Sequence, residues 1–134
     1  MKDQNKKPHH LLFNRIAQIY GLFFKSQKKS FDRAIEKAKP VLDIDVYESL
    51  LDVGSGTGAL CSVLAQRGLR VTGVEPAVKM MAVAKRKTHG QGIEFVTANI
   101  LEGLPFDSDA FDLVIASYVA HGLQPEQRQV MYRE

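Results

Sequence analysis

An apolar run that breaks into a glycine-rich bend sets the limits on this chain's architecture: Leu50-Leu51-Asp52-Val53-Gly54-Ser55-Gly56-Thr57-Gly58-Ala59. The pattern reads as a buried strand, a tight turn and the start of a helix. Glycines belong where a ligand must lie directly against backbone, because a Cβ would hold it away. The helix start offers free N–H groups and a partial positive charge, which suit a carboxylate or a phosphate equally. Gly54-x-Gly56-x-x-Ala59 also satisfies the dinucleotide fingerprint, so the bend by itself leaves the ligand open.

Two acids narrow the choice. Asp52 stands two residues before the first glycine. A carboxylate there repels a pyrophosphate but suits the ammonium end of an amino acid, which S-adenosylmethionine (SAM) has and NAD lacks. Glu75 closes a second apolar run, 21 residues after Gly54. An acid in that place accepts hydrogen bonds from ribose hydroxyls and repels a 2′-phosphate. Gly58 extends the bend to GxGxG.

The surrounding pattern is that of a wound parallel sheet. Ser49–Val53, Arg70–Glu75, Ile93–Ala98 and Asp112–Ser117 are apolar runs of strand length, and Gly58–Gln66 and Ala77–Thr88 are helical stretches between the first three. Glu102–Ala110 joins the last two strands with turn residues. A final helix is expected from Pro125, still running at Glu134. Ahead of the sheet, His10–Phe24 and Ser30–Lys39 predict two helices, with Lys25–Lys29 as their connection.

With 134 residues, 45% of them apolar, the chain is long enough for one domain with its own core. No apolar run is long enough to span a bilayer, and no secretory signal pattern opens the sequence. Cys61 is the single cysteine, with no companion for a disulfide or at metal-ligand spacing. A reducing cytoplasm is the expected location and no metal is expected. Residues 1–40 hold ten Lys/Arg against three acids, and residues 41–134 hold eight against twelve. That basic leader suits nucleic acid, an anionic membrane surface or an acidic substrate, and equally a merely solvated helix face.

Taken in order and spacing, LLDVGSGTGAL, VTGVEPAVKMMAVAKRK and IEFVTANILEGLPFDSDAFDLVIASYVAHGL resemble the successive motifs of class I SAM-dependent methyltransferases. The group typified by the ubiquinone/menaquinone-biosynthesis C-methyltransferases is the most similar, and the likeness covers residues 49–123. Phe13-Asn14-Arg15-Ile16-Ala17 and Tyr20 resemble that group's N-terminal segment more loosely. The resemblance implies an α/β, Rossmann-like parallel sheet of strand order 3-2-1-4 with N-terminal helices. Residues 1–40 would then cap cofactor and substrate, and residues 41–134 would form the SAM-binding domain, incomplete at its C-terminus.

Position by position, the resemblance implies that Gly54, Ser55, Gly56 and Gly58 line the methionine and ribose parts of SAM, with Asp52 near the amino group. Glu75 would hold the ribose hydroxyls, and Pro76 and Met80 would lie against adenine. Asn99 takes a place where the family often has Asp, and its amide can both donate and accept. Ile100 would add a backbone contact or apolar wall, and Ser117 would sit under the sulfonium. The plainer roles are core packing for Met80, a small buried helix residue for Cys61 and a strand end for Ser117.

Methyl transfer from a sulfonium needs alignment and the exclusion of water more than it needs a reactive side chain. His121, after the fourth strand, is the one candidate base, and packing is the commoner role for such a residue. The fourth strand lacks polar alternation, as interior strands do. In the family's order, 3-2-1-4-5-7-6, nothing follows to supply the remaining strands. A fragment, or a domain completed by pairing with another chain through that strand, is therefore expected. The overall expectation is a SAM-dependent methyltransferase acting on a small-molecule or lipid-like acceptor. The alternatives are an NAD-binding oxidoreductase domain and a SAM-binding module without catalysis.

Overall fold

The computed structural model describes residues 16, 17, 19, 21–117 and 119–134. Helix α1 spans Phe24–Ala38, β1 Ser49–Val53, α2 Ala59–Gln66, β2 Arg70–Val74 and α3 Val78–Lys87. Strands β3 (Glu94–Val96) and β4 (Leu113–Ile115) and helix α4 (Pro125–Met131) complete the regular elements, with short 3-10 turns at Ile44–Val46 and Ala120–Gly122. The strands form one sheet in the order β3-β2-β1-β4. All three pairings are parallel. Among the described residues no helix is long and apolar enough to cross a membrane.

Period-two alternation distributes β1 between two cores. Leu50 packs under α2 with Leu60, Cys61, Val63, Leu64 and Val71. Leu51 and Val53 point the other way, into a cluster with Val74, Ile100 and Met131. Asp52 shares the Leu50 face, so its carboxylate is directed beneath α2 rather than into water. At the opposite end of the strand, Asp112 Oδ2 accepts from the N–H groups of Glu48 and Ser49 at 3.1 and 2.9 Å and from Ser49 Oγ at 3.0 Å. That knot fixes where β4 begins against β1, giving the register Leu50 to Leu113.

Two expectations need correction. Lys25–Lys29 is no connection, because α1 runs straight through it. The run is polar because it is solvent-facing, while Phe24, Phe31 and Ile35, at helical spacing, supply the inward stripe. The last helix ends at Met131, with Tyr132 as its C-cap, before the chain stops. As the expected order 3-2-1-4 has it, the fourth strand is an edge of the described sheet, and Val114 is 56% exposed. The expected helix over His10–Phe24 falls partly on residues 10–15, 18 and 20, which lie outside the described residues; residues 16, 17, 19, 21 and 22 are helical.

A cleft at the carboxyl ends of the strands

The ends of β1, β2 and β4 open into a cleft of about 780 Å³. Ligands of open α/β sheets lie in the crevice outside this end of the strands, where the strand order reverses. Its floor is the glycine bend. Gly54 and Ser55 donate to the carbonyl of Val74 at 2.8 and 2.9 Å, which staples the bend to β2. Gly54, Gly56 and Gly58 all have positive φ, at 72°, 55° and 77°. The remaining walls come from Pro76 and Met80 beside α3, Asn99 and Ile100 after β3, and Ser117, Val119 and His121 after β4.

The glycines have different reasons to be glycine. A Cβ on Gly54 would lie 2.5 Å from Val119 Cγ2, so this position admits the β4 loop. A Cβ on Gly56 would meet only its neighbour's carbonyl at 4.0 Å and would project into open space. Gly58 is absent from the cleft lining. A Cβ there would press on Ala84, Phe95 and Thr88 at 3.1–3.2 Å. The absence of a side chain at Gly58 allows the close packing of α2 against α3 and β3.

Electrostatically the cleft is centred on two acids. Asp52 is 1% exposed, and its Oδ2 accepts from the Cys61 thiol at 3.3 Å. Among the described residues its Oδ1 has no hydrogen-bond partner, and neither does Ser55 Oγ. Burial pushes the Asp52 carboxyl up to about 7, against the lowering effect of the Cys61 bond, and the nearby Glu75 charge adds to the rise. Glu75 is also buried; its Oε2 accepts from Gly56 N–H and its Oε1 from Ala77 N–H, both at 3.0 Å. Asn99 Oδ1 accepts from Leu101 N–H at 3.0 Å, which turns the chain after β3. Apart from Gly58, every residue expected at the site borders this one cleft: Asp52, Gly54, Ser55, Gly56, Glu75, Pro76, Met80, Asn99, Ile100, Ser117 and His121.

Sequence reasoning missed several contributors. Gln27, Ser30 and Phe31 of α1 line the cleft, so α1 forms part of its wall. Thr57 Oγ1 donates to Gln27 Oε1 at 2.8 Å, tying that wall to the glycine bend. Gly73, inside β2, leaves room for Phe95 and Ser55, since a Cβ there would fall 2.8 and 3.0 Å from them. An isolated glycine in a strand is the local signal of such an approach. The α1 contacts carry no local signal.

Comparison with known proteins agrees with this geometry. Residues 51–134 match the methyltransferase domain family. A demethylmenaquinone methyltransferase of Thermus thermophilus is 34% identical over 115 residues, covering 83% of this chain and 48% of its own length. A Methanococcus maripaludis structure, assigned provisionally to the SAM-dependent methyltransferases, superposes with a TM-score of 0.75 at 17% identity, over 99% of this chain and 62% of that one. The DhpI complex with S-adenosylhomocysteine (SAH) gives 0.70 at 22% identity, over 92% and 58%. The chain spans about half the length of the curated relatives it matches. It belongs to the methyltransferase domain family and has the fold of the class I SAM-dependent enzymes, close to the ubiquinone/menaquinone-biosynthesis type.

Proposed function

We propose that this cleft binds SAM and that the protein transfers its methyl group to a small-molecule acceptor. One observation carries the reading: Asp52 borders the cleft, and its buried Oδ1 has no donor among the described residues to satisfy it. Leaving such a group unmatched is costly, and an ammonium is its natural complement. A dinucleotide offers a pyrophosphate in that region instead, which the same oxygen would repel. Glu75, on the cleft wall at the end of the second strand, would take the ribose hydroxyls. Pro76, Met80, Asn99 and Ile100 would flank the base, and Ser55 and Ser117 would lie along the methionine arm.

The sulfonium supplies an activated methyl group when SAM is bound. The chain's own share is to grip both ends of the ligand, aim it and exclude water. Residues 1–40 serve as the cap, through the α1 side chains on the cleft wall. The name of the Thermus relative supports a quinone-like, lipid-soluble acceptor. His121, on the cleft wall, is the group offered to receive the acceptor's proton. The lone cysteine supports a cytoplasmic location. Calorimetric titration of the purified protein with SAH and with NAD tests the assignment: SAH should bind, and a clear preference for NAD would defeat it.

A further inference from the structure

We infer that Cys61 is a positioning residue for ligand binding: its thiol holds one oxygen of Asp52 so that the other is presented to the cleft. The inference rests on the SAM reading above and deepens it. Cys61 lies on α2, fully buried, and does not itself border the cleft. Its sulfur reaches Oδ2 of the cleft-lining Asp52 at 3.3 Å, while the other oxygen, Oδ1, has no partner among the described residues. The two oxygens of a carboxylate exchange by rotation about its last side-chain bond. A donor on one of them fixes the plane of the carboxylate, and with it the direction in which the other oxygen points.

The surroundings make that donor matter. Leu50, Leu60 and Leu64 share the packed region and offer no hydrogen bonds of their own through their side chains. The titratable groups facing Asp52 are Cys61 from α2 and Glu75 from the end of β2, and Glu102 and His121 line the same cleft. Burial and the Asp52 charge push the thiol well above its ordinary value, so Cys61 stays protonated and donates. Of the influences on Asp52, burial and Glu75 favour its neutral acid, and the thiol alone favours the carboxylate that an ammonium requires. Removing the thiol removes both the orientation and the bias.

SAH titrations from about pH 6 to 9 on wild type, Cys61→Ala and Cys61→Ser test this, with a melting curve on each. A carbon-13 titration of the Asp52 carboxyl without ligand gives a second readout. In Cys61→Ala the Asp52 midpoint should rise by about one pH unit, and SAH affinity at pH 7 should fall about fivefold, the deficit fading in alkaline buffer. Cys61→Ser retains a donor and should follow wild type. Equal losses in both variants would point to packing alone and overturn the inference, as would an unchanged Asp52 midpoint in Cys61→Ala. Failure of wild type to bind SAH at any pH would instead remove the SAM reading, and the carboxyl titration would still decide the thiol's role.

Discussion

The N–H of Gly56 donates to Oε2 of Glu75 at 3.0 Å, joining the middle of the glycine bend to the acid that follows the neighbouring strand. Glu75 thereby has two tasks. Its second oxygen holds Ala77, which opens α3, so one carboxylate sets the spacing of the bend and the next helix. Glu75→Ala would leave two backbone donors short of acceptors, at about 1–3 kcal/mol for each that water cannot reach. The expected outcome is a clear drop in melting temperature together with at least about a tenfold loss of SAH affinity. Calorimetry and thermal melting check both. Undiminished affinity in a folded Glu75→Ala protein would mean that the acid serves the backbone only.

Asp52 gives binding a pH signature. Its acid form is held up to about 7 by burial, and an ammonium partner would draw the proton off. SAH affinity should therefore weaken about tenfold between pH 8 and pH 6, with one proton released on binding. The stability effect has the opposite sense. Because the folded carboxyl titrates above its ordinary range, charging it destabilises the fold progressively from about pH 4 to 7, and fully above that. Asp52→Asn should melt higher than wild type at pH 8 and should bind SAH weakly, without the pH dependence. A wild-type affinity that is flat across this window would contradict the assignment.

The glycines separate binding from folding. Gly56→Ala places its methyl in the cleft, so SAH affinity should fall while the melting temperature drops only by the left-handed backbone penalty, about 1–2 kcal/mol. Gly58→Ala incurs the same penalty and also crowds Ala84, Phe95 and Thr88. It should be the less stable variant by a further 1–3 kcal/mol or so, with SAH affinity largely retained in the folded fraction. The reverse ranking in paired melts and titrations would place Gly58, not Gly56, against the ligand.

What the sequence revealed and what it hid divide along one line, local pattern against distant contact. Ser49–Val53 and Arg70–Val74 were legible because short, mainly apolar runs of strand length are bounded by turns, and α2 and α3 because the glycine bend and Pro76 mark their starts. Asp52 and Glu75 could be assigned to one crevice because register and strand order follow from alternating strands and helices. Gly58 could not be distinguished from Gly56: both satisfy the same motif, and only Ala84 and Thr88 from α3 and its cap, with Phe95 from β3, reveal the difference. The Lys25–Lys29 run looked like a break because its side chains are all polar, yet a helix needs only one apolar stripe. Phe24 and Ile35 supply it on either side.

Beside the buried Phe24 and Ile35, Arg67 gives helix α1 a charged attachment to the domain, and that attachment should respond to salt. Arg67, just beyond α2, has a side chain 16% exposed and reaches Asp32 and Glu36 on α1 as well as Asp45. Those carboxylates are more open to water, so each pair contributes little by itself, about 0.2–1 kcal/mol, and salt screens it further. Arg67→Met keeps most of the packing stem and removes all three pairs. It should loosen α1 more than it destabilises the sheet, speeding amide hydrogen exchange in residues 24–38 while exchange in β1 and β2 stays slow. Because Gln27 and Phe31 would then wall the cleft less often, SAH affinity should fall modestly, by about two- to fivefold. High salt should reproduce part of the effect in wild type and add nothing to the variant. Exchange that rises equally in α1 and in the sheet would show that Arg67 supports the whole domain and that α1 is no separately attached wall.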